Sequence, residues 1–283
     1  MGRFARVIRW TFWALAALSV YANAASLDWL YNVEVPVADQ SNDVRAAAFK
    51  QALSVLLKRV SGLNEIPSNA AINAALAAPQ RYFSEYRYRS EDNPVPGATP
   101  PKVLYLSVRF AESAVQKLIA DAGLPQWSSN RPTTLAWIVV ADGGARTVLG
   151  ASDTNPVLLS MRARASERGL PMVWPMMDLD EQSRVSESAV SSANPAVLDA
   201  ASQHYNADQT LIGRVTHGAN GAWTAEWQLW QRGSQQRFNI ESPTAEAAGT
   251  AVVDRVVELL VARYVVASGN QERIQLRVNG IAN

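Results

Sequence analysis

The chain has 283 residues, 48% of them hydrophobic, with 26 basic and 25 acidic side chains and no cysteine. The missing sulfur excludes disulfides, thiolate metal sites, a cysteine nucleophile and a lipoprotein anchor, so the fold must stand on its hydrophobic core. The near-balanced charge supplies no long-range field for nucleic acid or an anionic membrane. In chain order, Arg3, Arg6 and Arg9 come first, followed by an apolar run from Trp10 to Val20 broken only by Thr11 and Ser19. Ala22-Asn23-Ala24 then gives the small-x-small pattern that signal peptidase reads. The run is about half of the ~20 residues that span a bilayer. Residues 1–24 are therefore expected to be a cleaved secretory signal, with Ala25 as the new N-terminus and the bacterial periplasm as the destination. No twin-Arg pair precedes the run, which favours the general secretion route. No later apolar run is long enough for a second span, so no stable membrane span is expected after cleavage.

Residues 25–127 read as a first domain of order β-α-α-β-β-α. Val33, Val35 and Val37 alternate with Asn32, Glu34 and Pro36, which predicts a half-buried strand within Leu27–Val37 with Pro36 near its end or on an edge. Ser41-Asn42-Asp43 supplies N-cap residues, and Phe49, Leu53, Leu56, Leu57 and Val60 form a helical stripe. Lys58 and Arg59 suit the C-terminal dipole of that helix, and Gly62 its left-handed cap. A short helix is expected over Ser68–Ala78. A strand is expected over Arg81–Arg89, with Tyr82, Tyr86 and Tyr88 on one face. Ser90–Pro101 is rich in proline and reads as a loop. Val103–Phe110 reads as a strand and Ala111–Asp121 as a helix. Ser128–Pro132 reads as a linker.

Residues 128–268 read as a second domain of order β-α-β-α-β-β-β-α. Thr133–Val140 is an apolar run suited to a buried central strand, and Asp142-Gly143-Gly144 turns the chain. Asn155-Pro156 opens a helix that ends at Arg168-Gly169. Met172–Trp174 is a short strand, Asp178–Asn194 a polar loop and Pro195–Tyr205 a helix. Gln209–Thr216, Ala222–Gln231 and Gln235–Ile240 form a meander, with Asn220-Gly221 and Arg232-Gly233-Ser234 at its turns. Thr244–Val265 is a long helix whose inner stripe holds Val253, Val256, Val257, Leu260 and Tyr264. In residues 269–283, Ile274, Leu276 and Val278 alternate as a further strand. The fold class is α+β: two mixed α/β domains, each a small mixed or antiparallel sheet backed by helices.

The candidate chemistry is sparse. His204 and His217 are the two histidines, and no G-x-S-x-G elbow accompanies them, which argues against a serine triad. Asp178, Asp180 and Glu181 cluster, but the glycine and distal glutamate of a calcium loop are missing. Asp142-Gly143-Gly144 lacks the spacing of a phosphate-binding loop. Trp223 and Trp227 fall on one strand face with Ala225 and Leu229, a core pattern. Trp230 falls on the other face with Thr224, Glu226 and Gln228 and is the aromatic open to an external contact. No catalytic, cofactor-binding or metal-ligating residue is singled out.

Val33-Glu34-Val35-Pro36-Val37, Ala48–Leu53, Leu57–Gly62, Leu211-Ile212-Gly213-Arg214-Val215, Trp223, Trp227 and the helix near Leu259–Tyr264 resemble domain-of-unknown-function family 2066. That resemblance implies an exported proteobacterial protein with no established activity, and no catalytic residue to carry over. Members of that family continue past the equivalent of Gly280, so the resemblance leaves two readings of residues 269–283: a naturally short end, or the start of a truncated further unit. The second domain is similar to the α/β domains of envelope assembly proteins, such as the N-terminal domain of the Tol-system propeller protein and the curli secretion lipoprotein. The expectation is a non-enzymatic periplasmic protein that binds another cell-envelope protein and no nucleic acid. The alternatives are an envelope hydrolase whose site assembles only in three dimensions, and a glycan- or small-ligand-binding module. An apolar patch or free sheet edge without a pocket would favour the first, a pocket with converging His and carboxylates the second, and an open row of exposed Trp and Tyr the third.

Overall fold

A computed structural model describes residues 28–266. The expected signal at 1–24 and the alternation at Ile274, Leu276 and Val278 lie outside the described residues. The fold is α+β, with a three-stranded antiparallel sheet and a six-stranded mixed sheet.

The smaller sheet has the order β1-β3-β2. A short helix, α1 (Asp28–Tyr31), occupies the start of the predicted first strand, and β1 runs from Asn32 to Val37. Val33 and Val35 are buried opposite Val108 and Leu106 of β3 (Lys102–Phe110). Helix α2 (Asn42–Ser61) lays Leu53, Leu56, Leu57 and Val60 on that face. It ends where Gly62, at φ 75°, donates its N–H to the Lys58 carbonyl. Helix α3 (Ala70–Ala77) starts at Asn69, whose side chain accepts the Ile72 N–H and donates to the Ala122 carbonyl. β2 (Phe83–Asp92) follows, with Tyr86 and Tyr88 opposite Val108 and Leu106. A register shift between Phe83 and Glu85 leaves Tyr82 ahead of the strand, so it does not continue the tyrosine row that parity predicts. Helix α4 (Glu112–Asp121) adds Val115, Leu118 and Ile119 to the same core.

Beyond β4 (Gln126–Trp127), the larger sheet begins with β5 (Thr134–Asp142). From Thr134 to Val140 every residue is buried, because both faces are covered. A turn leads to β6 (Ala145–Val148), a strand too short and too exposed to show alternation. Helix α5 (Pro156–Arg168) has its N-cap at Asn155 and Gly169 at its end, as the sequence predicts. β7 (Met172–Val173) pairs with β5.

The stretch read as a polar loop, Asp178–Asn194, instead folds into α6 (Leu179–Arg184) and α7 (Glu187–Ser191). Asp178 and Ser186 cap them by accepting the N–H groups of Glu181 and Ala189. Neither helix is long enough to display a hydrophobic period, so only the caps marked them.

Helix α8 (Pro195–Ser202) leads to β8 (Gln209–His217), β9 (Trp223–Gln231) and β10 (Ser234–Ser242). The sheet order is β10-β9-β8-β5-β6, with β8 parallel to β5. Helix α9 (Ala245–Tyr264) and α5 cover one face through Val252, Val253, Val256, Val257, Val157 and Met161. Helices α7 and α8 cover part of the other, over Leu135, Trp137, Val139 and Ile212. Directly opposite Trp227 sits Gly213, and a Cβ there would overlap the indole ring. The glycine is what lets a tryptophan lie fully buried on a central strand. β11 (Val265–Val266) closes the described chain by pairing with β4.

Candidate functional site

A dense polar constellation lies at the seam between the two sheets, where the C-terminal ends of α2 and α5 meet. Each end presents unpaired carbonyls and a partial negative charge. Three buried arginines answer them. Arg59, on α2, donates Nη1 to the carbonyls of Trp29, Leu30 and Asn32 (3.1, 3.1 and 2.8 Å) and Nη2 to Ser166 of α5 (2.7 Å). Arg168, on α5, returns the bond by donating Nη2 to the Gly62 carbonyl at 2.8 Å. Arg131 ties both ends, with Nη2 on the Arg59 carbonyl and Nη1 on Gly169, each at 2.6 Å.

The Arg131 guanidinium stacks on Trp127, 3.8 Å from the ring centroid. Gly169 is left-handed at φ 63°, and a Cβ on it would run into both Arg131 and Arg59. Asp254 of α9 completes the cluster. It accepts both Nε and Nη2 of Arg164 (2.8 and 2.9 Å) and pairs with Arg168.

Arg59 and Arg131 touch carbonyl oxygens rather than carboxylates. Burial pushes the Arg59 guanidinium down to about 10. Burial, with repulsion from Arg59, pushes Arg131 down to about 9. Both remain cations at neutral pH. With their Nη groups engaged by backbone, they serve as a lock rather than a reaction centre. The segment read as a linker, Ser128–Pro132, carries one of the three keys.

The residues singled out from sequence fall into separate clusters. The His204 ring lies against Tyr205, with its Nε2 3.3 Å from Glu181. Glu181 is only 5% exposed, unlike the solvated loop acid that the sequence suggests. It accepts the Tyr205 hydroxyl at 2.5 Å and the Met177 N–H at 2.6 Å. The Tyr205 oxygen in turn accepts the Met176 N–H. Burial and the bond to Glu181 push the Tyr205 hydroxyl up to about 12. Asp178 is a helix cap and Asp180 pairs with Arg184. These contacts buckle α6 to the turn after α8.

His217, at the end of β8, pairs with Asp142 at 2.8 Å and stacks on Trp223. Gly143 and Gly144 both have positive φ and lead into β6, so Asp142-Gly143-Gly144 is a hairpin turn rather than a phosphate cradle. Trp227 is buried, Trp223 partly so, and Trp230 lies on the opposite face as its parity predicts. Among the described residues, no three His, Asp or Glu side chains converge as metal ligands. None of the described helices is long and apolar enough to cross a membrane.

The sheet edges differ in how they are guarded. β1 carries Pro36. β2 is bulged and lined with ion pairs, Arg89 with Glu34 and Glu91, and Arg109 with Glu85. β6 has four residues. β10 has nine in unbroken register with β9, and only Arg237 and Glu241 are charged. Proline, bulges, charge and shortness are the usual protections against strand pairing, and β10 has the fewest of them.

Against known families, the model described as Domain of unknown function (DUF8605) matches residues 24–128. That span holds α1 through β4 and so the whole of the smaller sheet. The match corrects the resemblance to family 2066. The segments that carried that resemblance, Val33–Val37 and Leu57–Gly62 among them, are a strand alternation and a helix end with its glycine cap, patterns that many folds share. No curated protein matches the chain.

Proposed function

We propose that this is an exported, non-enzymatic protein of the periplasm that binds another cell-envelope protein by taking an extended segment onto the edge of β10. The observation that carries the reading is the edge itself: nine residues, regular, lightly charged and without a neighbouring strand among the described residues. Strand addition draws affinity from main-chain hydrogen bonds and needs no pocket. The seam supports the role by fixing the platform that presents the edge. The signal-like start at Arg3–Ala24 supports export.

A photo-crosslinking residue at position 239, on the exposed side of β10, tests this in cells, with position 85 on the guarded β2 as its control. The proposal expects one discrete protein adduct from position 239, lost when Glu241 is replaced by Lys, and none from position 85. Equal labelling from both edges, or an intramolecular adduct to residues 274–278, would overturn it. N-terminal sequencing of the periplasmic protein should begin at Ala25.

A further inference from the structure

Helices α7 and α8 stop short of the outer strands, so β9 and β10 keep an open face. Between this face and the α7–α8 junction lies a groove of about 700 Å³ lined by Ser192, Asp199, Gln228, Trp230, Gln235 and Arg237. That volume is within the range of small-molecule sites. The Trp230 indole packs in part on the cluster formed by Leu135, Trp137 and Leu198, and it also forms a wall of the groove. Its Nε1 donates to Gln228 Oε1 at 3.3 Å, and Gln235 Nε2 donates to the same oxygen at 2.5 Å. Two neighbouring amides and the ring are thereby held in one arrangement before any ligand arrives. The side chains of Asp199 and Arg237 are exposed and have no hydrogen-bond or ion-pair partner among the described residues.

We propose that this groove binds a neutral saccharide chain. A pyranose offers an apolar C–H face and a rim of adjacent hydroxyls. An indole wall suits the first, because an aromatic ring gives rigid contact area at small entropic cost. Planar forked side chains suit the second: a carboxylate accepts from two neighbouring hydroxyls, a guanidinium donates to two, and a primary amide does one of each. The groove holds all three kinds. One free acid and one free base leave it without net charge, which disfavours phosphates and acidic peptides. The site lies on the sheet face and is separate from the edge pairing proposed above.

The test is titration of chitotetraose and maltotetraose into the mature protein. Heat is read by calorimetry, and the indole N–H resonance of Trp230 by NMR. Binding in the micromolar to millimolar range is expected, with a shift of that resonance and at least a tenfold loss in Trp230→Ala, in Arg237→Ala and in Asp199→Asn. The last two positions are exposed, so their variants keep the test valid if Trp230→Ala fails to fold. Asn239→Lys should bind the sugar normally, which separates this site from the edge. No shift at about 10 mM of either sugar, well above the range of weak ligands, would overturn the proposal. So would affinity unchanged in both exposed variants, or an equal response to tetraglutamate.

Discussion

The seam between the sheets and the outer strands of the larger sheet use polar side chains in opposite ways. At the seam, Arg59, Arg131 and Arg168 are buried, and each donates to backbone carbonyls at helix ends. On β9 and β10, Gln228, Gln235 and Arg237 line open space, and the strand edge beyond them has no described neighbour. Polar groups engaged by their own chain hold shape, and polar groups left open can meet something else. Arginine appears in both places, so its role here is set by what surrounds it.

The comparison breaks most sharply at Arg168. Arg168→Ala removes the donor to Gly62 and Asn64 and leaves Asp254 with one cation, Arg164. The expected cost is about 3–5 kcal/mol, read as a fall in the urea midpoint, because one partner of a buried pair is left behind. Gly213→Ala should cost about 1–3 kcal/mol, because the added methyl overpacks Trp227. The near-ultraviolet circular dichroism of the tryptophans would register the change.

The buckle at Tyr205 gives a smaller effect with a defined pH window. Its hydroxyl is raised to about 12 in the folded state, above the ordinary tyrosine value of 10.0. Its contribution is therefore complete below pH 10 and lost as the pH rises towards 12, because the unfolded chain ionises first. In thermal melts, Tyr205→Phe should show a shallower loss of Tm across that window than the native protein. At the open edge, Asn239→Lys should change stability by no more than about 0.5 kcal/mol in the same melts, as exposed substitutions do. It should still abolish partner capture.

Much of the fold is legible where the signal is local. The helix from Asn155-Pro156 to Gly169, the buried run of β5 and the face of Trp230 all follow from caps, composition and parity. The α+β class follows from the order of those elements. The seam does not. Arg59 and Arg168 near the ends of their helices look like ordinary dipole partners, and nothing nearby shows that their acceptors lie 107 and 106 residues away in the chain. Glu181 hides in the same way, since its hydroxyl partner is 24 residues distant. The short helices α6 and α7 left only their capping residues as a trace.

Native-state hydrogen exchange on the protein addresses both halves of the comparison in one experiment. Amides of the two helix ends at the seam, around Val60–Gly62 and Arg168–Gly169, should open together, with the protection of global unfolding. Alternate amides along β10 should exchange freely in the isolated protein and become protected when the proposed partner binds. Independent opening of the smaller sheet, or β10 amides already as protected as those of β8, would contradict the account.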